Sequence, residues 1–170
     1  INQANRNAGD GISLTQVADG AAATIGSLLS RMRELATQSA SGTLGTTERS
    51  YLDQEFVALR SEIDRISTTT EYNGQPLLSG SSNTFEVFIG FKSGSGNSLS
   101  VALDDLDVAA VGLTGASVST ATAAQSMLAK IDSAISAVAT ARANYGSIQS
   151  RFEVAIQNLT VTAENFTAAE

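Results

Sequence analysis

Apolar residues recur along this chain with two different periods, and the change of period divides it into segments. From Ile12 onward, Val17, Ala18, Ala21, Ile25, Leu28, Leu29, Met32, Leu35 and Ala36 return at steps of three and four, the repeat of one helix face. The pattern predicts a long helix over 1–42 that leaves through Ser41-Gly42-Thr43-Leu44-Gly45, a connector of the kind that joins antiparallel helices. Gly9, Gly11, Gly20 and Gly26 each weaken that helix by up to about 1 kcal/mol relative to Ala, so tertiary contacts must compensate. A second helix is predicted over 46–67, capped by Thr46 or Thr47, with Glu48 in its first turn to meet the positive end of the dipole. Within it Leu52, Phe56, Leu59, Ile63 and Ile66 alternate steps of four and three, a heptad seam that calls for a partner helix. A β-branched run after Ser67, then Asn73-Gly74 and Pro76, ends it.

The period then drops to two. Phe85, Val87 and Ile89 share one face, the loop Lys92-Ser-Gly-Ser-Gly-Asn97 follows, and Leu99, Val101 and Leu103 share a face again; this reads as a β-hairpin over 84–103. A lone hairpin is marginal in water, so its apolar side is expected to lean on the helices. Residues 104–120 are irregular, small and polar, and read as a connector rather than a second domain. The last helix is predicted over 121–168, with Leu128, Ile131, Ile135, Val138, Arg142, Tyr145, Gln149, Phe152, Ile156, Leu159, Ala163 and Phe166 in a sustained heptad register. A helix of about 45 residues is roughly 68 Å long, more than a compact globule of this size needs. The expectation is a mainly α fold: one rod-like domain over 1–170, an elongated bundle of long antiparallel helices with a small β-hairpin. Its core seam is read as Leu28, Met32, Leu52, Phe56, Leu59, Ile63, Ile131, Ile135, Phe152 and Ile156.

Composition narrows the chemistry. Of 170 residues 42% are hydrophobic but only 5% aromatic, with no Trp, which points to a thin core in which helices approach closely through alanine. Ten basic against 17 acidic residues leave a net charge of −7, which repels nucleic acid and anionic membrane surfaces; neither is an expected partner. No segment is long and apolar enough for a membrane-spanning helix, and the first residues lack the layout of a signal peptide. Cys and His are both absent, which removes disulfides, thiolate metal sites, the usual general base and every Ser-His or Cys-His nucleophile. No catalytic residue and no cofactor is expected. Asp104, Asp105 and Asp107, or Glu62 with Asp64, lack the ligand spacing of a Ca²⁺ loop, and no metal site is expected. Asn158-Leu-Thr and Asn165-Phe-Thr fit the glycosylation pattern but lie within a helix, so chance accounts for them better. The Gly-rich 92–97 loop lacks the Lys-Ser/Thr and the helix start of a phosphate loop.

Several separated blocks carry a resemblance: Asn7-Ala-Gly-Asp-Gly-Ile-Ser-Leu-Thr-Gln16, Arg31-Met-Arg-Glu-Leu-Ala-Thr-Gln-Ser-Ala40, Glu62-Ile-Asp-Arg-Ile66, Tyr72-Asn-Gly, Ala129-Lys-Ile-Asp-Ser-Ala134 and Arg151-Phe-Glu-Val-Ala-Ile-Gln-Asn-Leu159. Together, and in this order, they resemble bacterial flagellin. The resemblance implies an extracellular structural subunit that self-assembles into the flagellar filament for motility, with protofilament neighbours as its partners. It also implies an export chaperone acting on a terminal segment outside this chain. The chain begins at Ile1 and stops within a helical pattern, so it is expected to be the inner rod of a longer protein. The paired terminal segments of the family are expected to lie outside it. Leu113 to Ala124 is too short to hold the variable outer domain that most of the family inserts there, so that domain is expected to be either naturally absent or removed. In the family the Arg31–Ala40 block is part of a surface shared between protofilament packing and the vertebrate flagellin-sensing Toll-like receptor. The resemblance carries this interface to Arg31, Arg33, Glu34 and Leu35, and to Glu55 on the next helix, with Leu35 as an exposed apolar anchor beside Arg31. Ser30 departs from the Gln that many receptor-binding relatives carry. The rivals are a flagellin-like protein of the hook-filament junction and a flagellin homologue that binds surface polysaccharide.

Overall fold

The structure is a computed structural model that describes residues 2–80, 83–90 and 95–169. Helix α1 (Asn2–Ser39) is followed by α2 (Thr46–Thr69) and by two short strands, β1 (Glu71–Tyr72) and β2 (Gln75–Pro76). Then come β3 (Asn83–Phe88), a 3-10 turn at Ser95–Asn97, β4 (Ser98–Leu103) and the long α3 (Ala121–Ala169). Lys92, Ser93 and Gly94 of the expected hairpin tip lie outside the described residues.

The backbone of the molecule is the pair α1 and α3, which run antiparallel. Arg33 meets Asp132, Asp19 meets Arg142, and Gly11 sits against Phe152, so positions rising along one helix oppose positions falling along the other. On α1 the buried line runs Ala4, Ala8, Gly11, Thr15, Ala18, Ala22, Ile25, Leu29, Met32, Ala36 and Ser39, alternating steps of four and three over the whole helix. Its counterpart on α3 runs Ala124, Met127, Ile131, Ala134, Val138, Ala141, Tyr145, Ile148 and Phe152, resuming at Leu159. Two matched heptad seams make this an antiparallel coiled coil. Small side chains line much of α1, and the bulk is supplied from α3: Phe152 and Tyr145 are both fully buried.

The α3 seam departs from the expected register. Arg142 and Gln149 are not seam members; Arg142 is exposed and reaches across to Asp19 at 2.7 Å. Ala141 and Ile148 take the line instead, and Ile135 and Ile156 are only partly buried, packed beside it. Helices that approach closely place their smallest residues on the line of contact and push larger ones to its flanks. On α1, Val17 is exposed for the same reason, while Ala18 beside it is buried.

α2 packs antiparallel to α1 through Phe56 and Ile63, which are fully buried, and through the partly buried Leu52, Leu59 and Ile66. Neither Thr46 nor Thr47 caps it: the N-cap is Gly45, with no side-chain cap bond. A β-carbon at Gly45 would collide with the Glu48 carboxylate, which folds back over the cap. Arg49 closes the α1–α2 turn, donating from Nε to the Ser39 carbonyl at 2.8 Å and from Nη2 to the Ser41 carbonyl at 2.7 Å. The Ser39 carbonyl is one of those that a helix C-terminus leaves unpaired.

The segment expected merely to end α2 forms a small ladder, pairing Glu71 with Pro76 and Tyr72 with Gln75. Its two-residue turn places Asn73 at φ 52° and Gly74 at φ 75°, the left-handed pair that an Asn-Gly hairpin turn uses. β3 and β4 pair antiparallel from Asn83 opposite Leu103 to Phe88 opposite Ser98. One face of that hairpin leans on the helices: Val101 and Leu103 are buried, and Phe85, Val87 and Leu99 are half-buried. Asn7 donates from Nδ2 to the Phe88 carbonyl at 2.8 Å, and the Asp104 amide donates to the Tyr145 hydroxyl at 3.3 Å.

Residues 104–120 do more than connect. Leu106, Val111, Leu113, Ala116 and Val118 are all buried in the core, and α2 fixes the path of the backbone. Asp53 accepts from the Ser117 hydroxyl at 2.8 Å and from the Val118 amide at 2.6 Å, and Arg60 donates to the Ala116 carbonyl. Thr120 then starts α3, its hydroxyl oxygen accepting from the Ala123 amide at 3.1 Å, as an N-cap does.

Candidate assembly interface

The Arg31–Ala40 block forms the last quarter of α1 and the residue that follows it, where α2 covers one side and α3 another. Its buried residues are Met32, Leu35, Ala36 and Ser39; its outward charged residues are Arg31, Arg33 and Glu34. Leu35 is therefore not an exposed anchor. It is 1% exposed, because helical steps of three and four from Met32 and Leu28 carry it onto the core side.

The charges bond across helices. Arg31 donates from Nε to Glu55 Oε1 at 2.8 Å and from Nη1 to Glu34 Oε2 at 2.9 Å, so one guanidinium ties α1 to α2 and also closes a turn of its own helix. Arg33 points the other way and donates to Asp132 Oδ1 on α3 at 2.6 Å. All five side chains remain about half or more exposed. Hydrogen bonding to Glu55 first, then Glu34, raises the Arg31 pKa further above its ordinary value, and Asp132 does the same for Arg33. Pairs this exposed are strongly screened by solvent, so their main effect is orientation, and they hold a surface of fixed charges in a defined geometry.

Tyr51, one helical turn before Glu55, is 66% exposed and lies on the same face. The sequence carried a signal for it: Tyr51 stands one position before the Leu52 seam, outside every apolar line of α2. On the far half of α3, Val154 and Val161 are each 55% exposed. Among the described residues, no three acidic side chains converge as a cation site would require.

A coiled coil of two long helices, a third helix and a hairpin braced against it, and an outer face of oriented charges define an elongated, mainly helical rod protein. Comparison with known proteins narrows that class. Residues 1–83 match the bacterial flagellin N-terminal helical region and residues 128–170 the bacterial flagellin C-terminal helical region. The flagellin of Halalkalibacterium halodurans is 39% identical over 170 residues, all of this chain and 62% of that protein. The Bacillus subtilis flagellin is 32% identical, again over all of this chain and 66% of its own length. The crystal structure of Bacillus cereus flagellin superposes with a TM-score of 0.76 at 32% identity, covering 98% of this chain and 95% of that one. The chain belongs to the bacterial flagellin family. It spans about two thirds or less of the length of the two relatives compared by sequence.

Proposed function

We propose that this chain is the rod-forming core of a structural subunit of the bacterial flagellar filament, an extracellular protein that associates with copies of itself to serve motility. The observation that carries this reading is that the two family regions, at opposite ends of the sequence, zip into one coiled coil of α1 and α3. A rod of paired helices offers long parallel surfaces for side-by-side stacking, and function then lies in repeated contact rather than in a cavity. The test is sedimentation of the chain extended at both ends to the length of its relatives, seeded with filament fragments. Pelleting as filaments supports the reading; an extended chain that stays in solution with seeds overturns it.

The same face supports a second role, as a ligand of the vertebrate flagellin-sensing Toll-like receptor. Arg31, Glu34 and Glu55 form one bonded cluster with the exposed Tyr51 beside it, and aromatic and Arg side chains dominate interface energetics. Arg31→Ala or Glu55→Ala is expected to weaken receptor binding by about tenfold, the scale of an interface anchor. Unchanged affinity of both variants in a titration overturns the receptor role. Leu35 is not a probe of this surface, since truncating it opens a hole in the core.

A further inference from the structure

We propose that Asn73 is a site of spontaneous chemical modification, its side-chain amide converting to a carboxylate through a cyclic imide formed with the backbone nitrogen of Gly74. The sequence contains three dipeptides open to this route: Asn73-Gly74, Asp10-Gly11 and Asp19-Gly20. Each of the other asparagines precedes a residue with a β-carbon, which hinders attack by the following nitrogen. The structure separates the three candidates.

Asp10-Gly11 and Asp19-Gly20 lie inside α1, away from its ends. Ring closure requires rotation about the Cα–C bond of the attacked residue, and in a helix interior that rotation breaks the backbone hydrogen bonds of the turn. Gly11 is further confined by Phe152, and Asp19 is held by Arg142. Asn73 is in the opposite situation. It is exposed, it sits in the left-handed region at φ 52°, and its side-chain amide has no hydrogen-bond partner among the described residues. Nothing lies within 4 Å of where a β-carbon on Gly74 would be, so no other part of the chain crowds that side of the turn. The ladder that the turn closes has only two residue pairs, so opening it costs little.

The step balances without any added oxidant or reductant. The Gly74 nitrogen loses its proton and bonds to Asn73 Cγ, and the side-chain nitrogen leaves as ammonia. Water then opens the imide at either carbonyl. Opening at Cγ gives aspartate; opening at the backbone carbonyl gives isoaspartate, with the main chain routed through the β-carbon.

Both products change a defined part of the molecule. Asn73 and Gln75 line a groove of about 420 Å³ together with Asp10 and Glu86, so conversion adds a third carboxylate to one already acidic cleft. Isoaspartate also lengthens a two-residue turn by one main-chain atom, which is incompatible with the Tyr72 to Gln75 pairing. That register leads directly to the Leu77 amide, which donates to the Thr70 carbonyl at 3.0 Å, and to the fully buried Leu77 and Leu78.

The experiment is a time course of the whole folded chain at mildly alkaline pH, read by peptide mass mapping with an isoaspartate-specific assay. The peptide holding Asn73 is expected to convert to a mixture of aspartate and isoaspartate while those holding Asp10 and Asp19 stay unchanged. A parallel incubation at mildly acidic pH, where part of the Asp carboxyl is protonated and can leave as water, is expected to leave Asp10 and Asp19 unchanged in the folded chain and to release their isomerisation in urea. Asn73→Gln, which keeps an amide but needs a larger ring, and Gly74→Ala are each expected to slow the conversion several-fold. Conversion at another asparagine while Asn73 stays intact overturns the proposal, as does an equal rate at Asp10 or Asp19 in the folded chain.

Discussion

Gly11 and Phe152 show how single positions set the spacing of the rod. A β-carbon at Gly11 would lie 2.5 Å from Phe152 Cζ, and Phe152 is fully buried in the core. Gly11→Ala removes a helix-weakening glycine yet is expected to lower stability by about 1–3 kcal/mol, the cost of overpacking a filled core. Urea unfolding of the variant, with and without Phe152→Leu to restore space, checks this. Tyr145 is the second such residue. Burial first, with smaller electrostatic contributions from Asp104 and Asp19, holds its phenol well above the ordinary value of about 10. The folded state therefore binds that proton more tightly than the unfolded chain, and the stability it contributes is fully present below about pH 10 and lost as pH rises beyond. Thermal melts from neutral pH to above pH 10 should show this decline in the parent chain and a weaker one in Tyr145→Phe. That variant also leaves the Asp104 amide without its acceptor.

At the scale of elements, the helices differ in what holds them. α1 carries Gly20, exposed and with nothing within 4 Å of an added β-carbon. Gly20→Ala is expected to raise stability by about 0.5–1 kcal/mol, opposite in sign to Gly11→Ala, and comparing the two in one denaturation series separates propensity from packing. α2 is tied to the 104–120 segment by Asp53 and Arg60. Asp53→Ala leaves the Val118 amide unpaired in a part-buried setting, at a cost of about 1–3 kcal/mol. Hydrogen exchange should then quicken at Val118 before it does in the α1–α3 coiled coil.

At the scale of the whole molecule, net charge and surface decide association. The chain carries −7, so copies repel one another until salt screens them. Seeded assembly of the extended chain is expected to accelerate from low to physiological ionic strength. Slower assembly with added salt would instead mean that complementary charge pairs between copies dominate. The exposed surface of α1 and α2 around Arg31 and the apolar positions Val154 and Val161 on α3 are the places to look for those contacts.

Periodicity in the sequence located the helices and the hairpin, because a side chain's neighbours along a helix or strand follow from local geometry alone: Leu52, Phe56, Leu59 and Ile63 on α2 needed no tertiary information to share a face. The blocks from Asn7 to Gln16 and from Arg31 to Ala40 likewise carried the family. What the sequence left undecided was every question of which helix lies how close to which. Arg142 and Ile135 satisfy a heptad as well on paper as Ala141 and Ala134 do, and only the close approach of α1 puts the alanines at the contact. Leu35 shares the apolar face of Leu28 and Met32, and its reading as an exposed anchor comes from the family resemblance, which its burial corrects. Leu106, Val111 and Val118 show no period, so only the fold reveals that the irregular segment is core. Local geometry is written in neighbouring residues; burial is a property of what arrives from elsewhere in the chain.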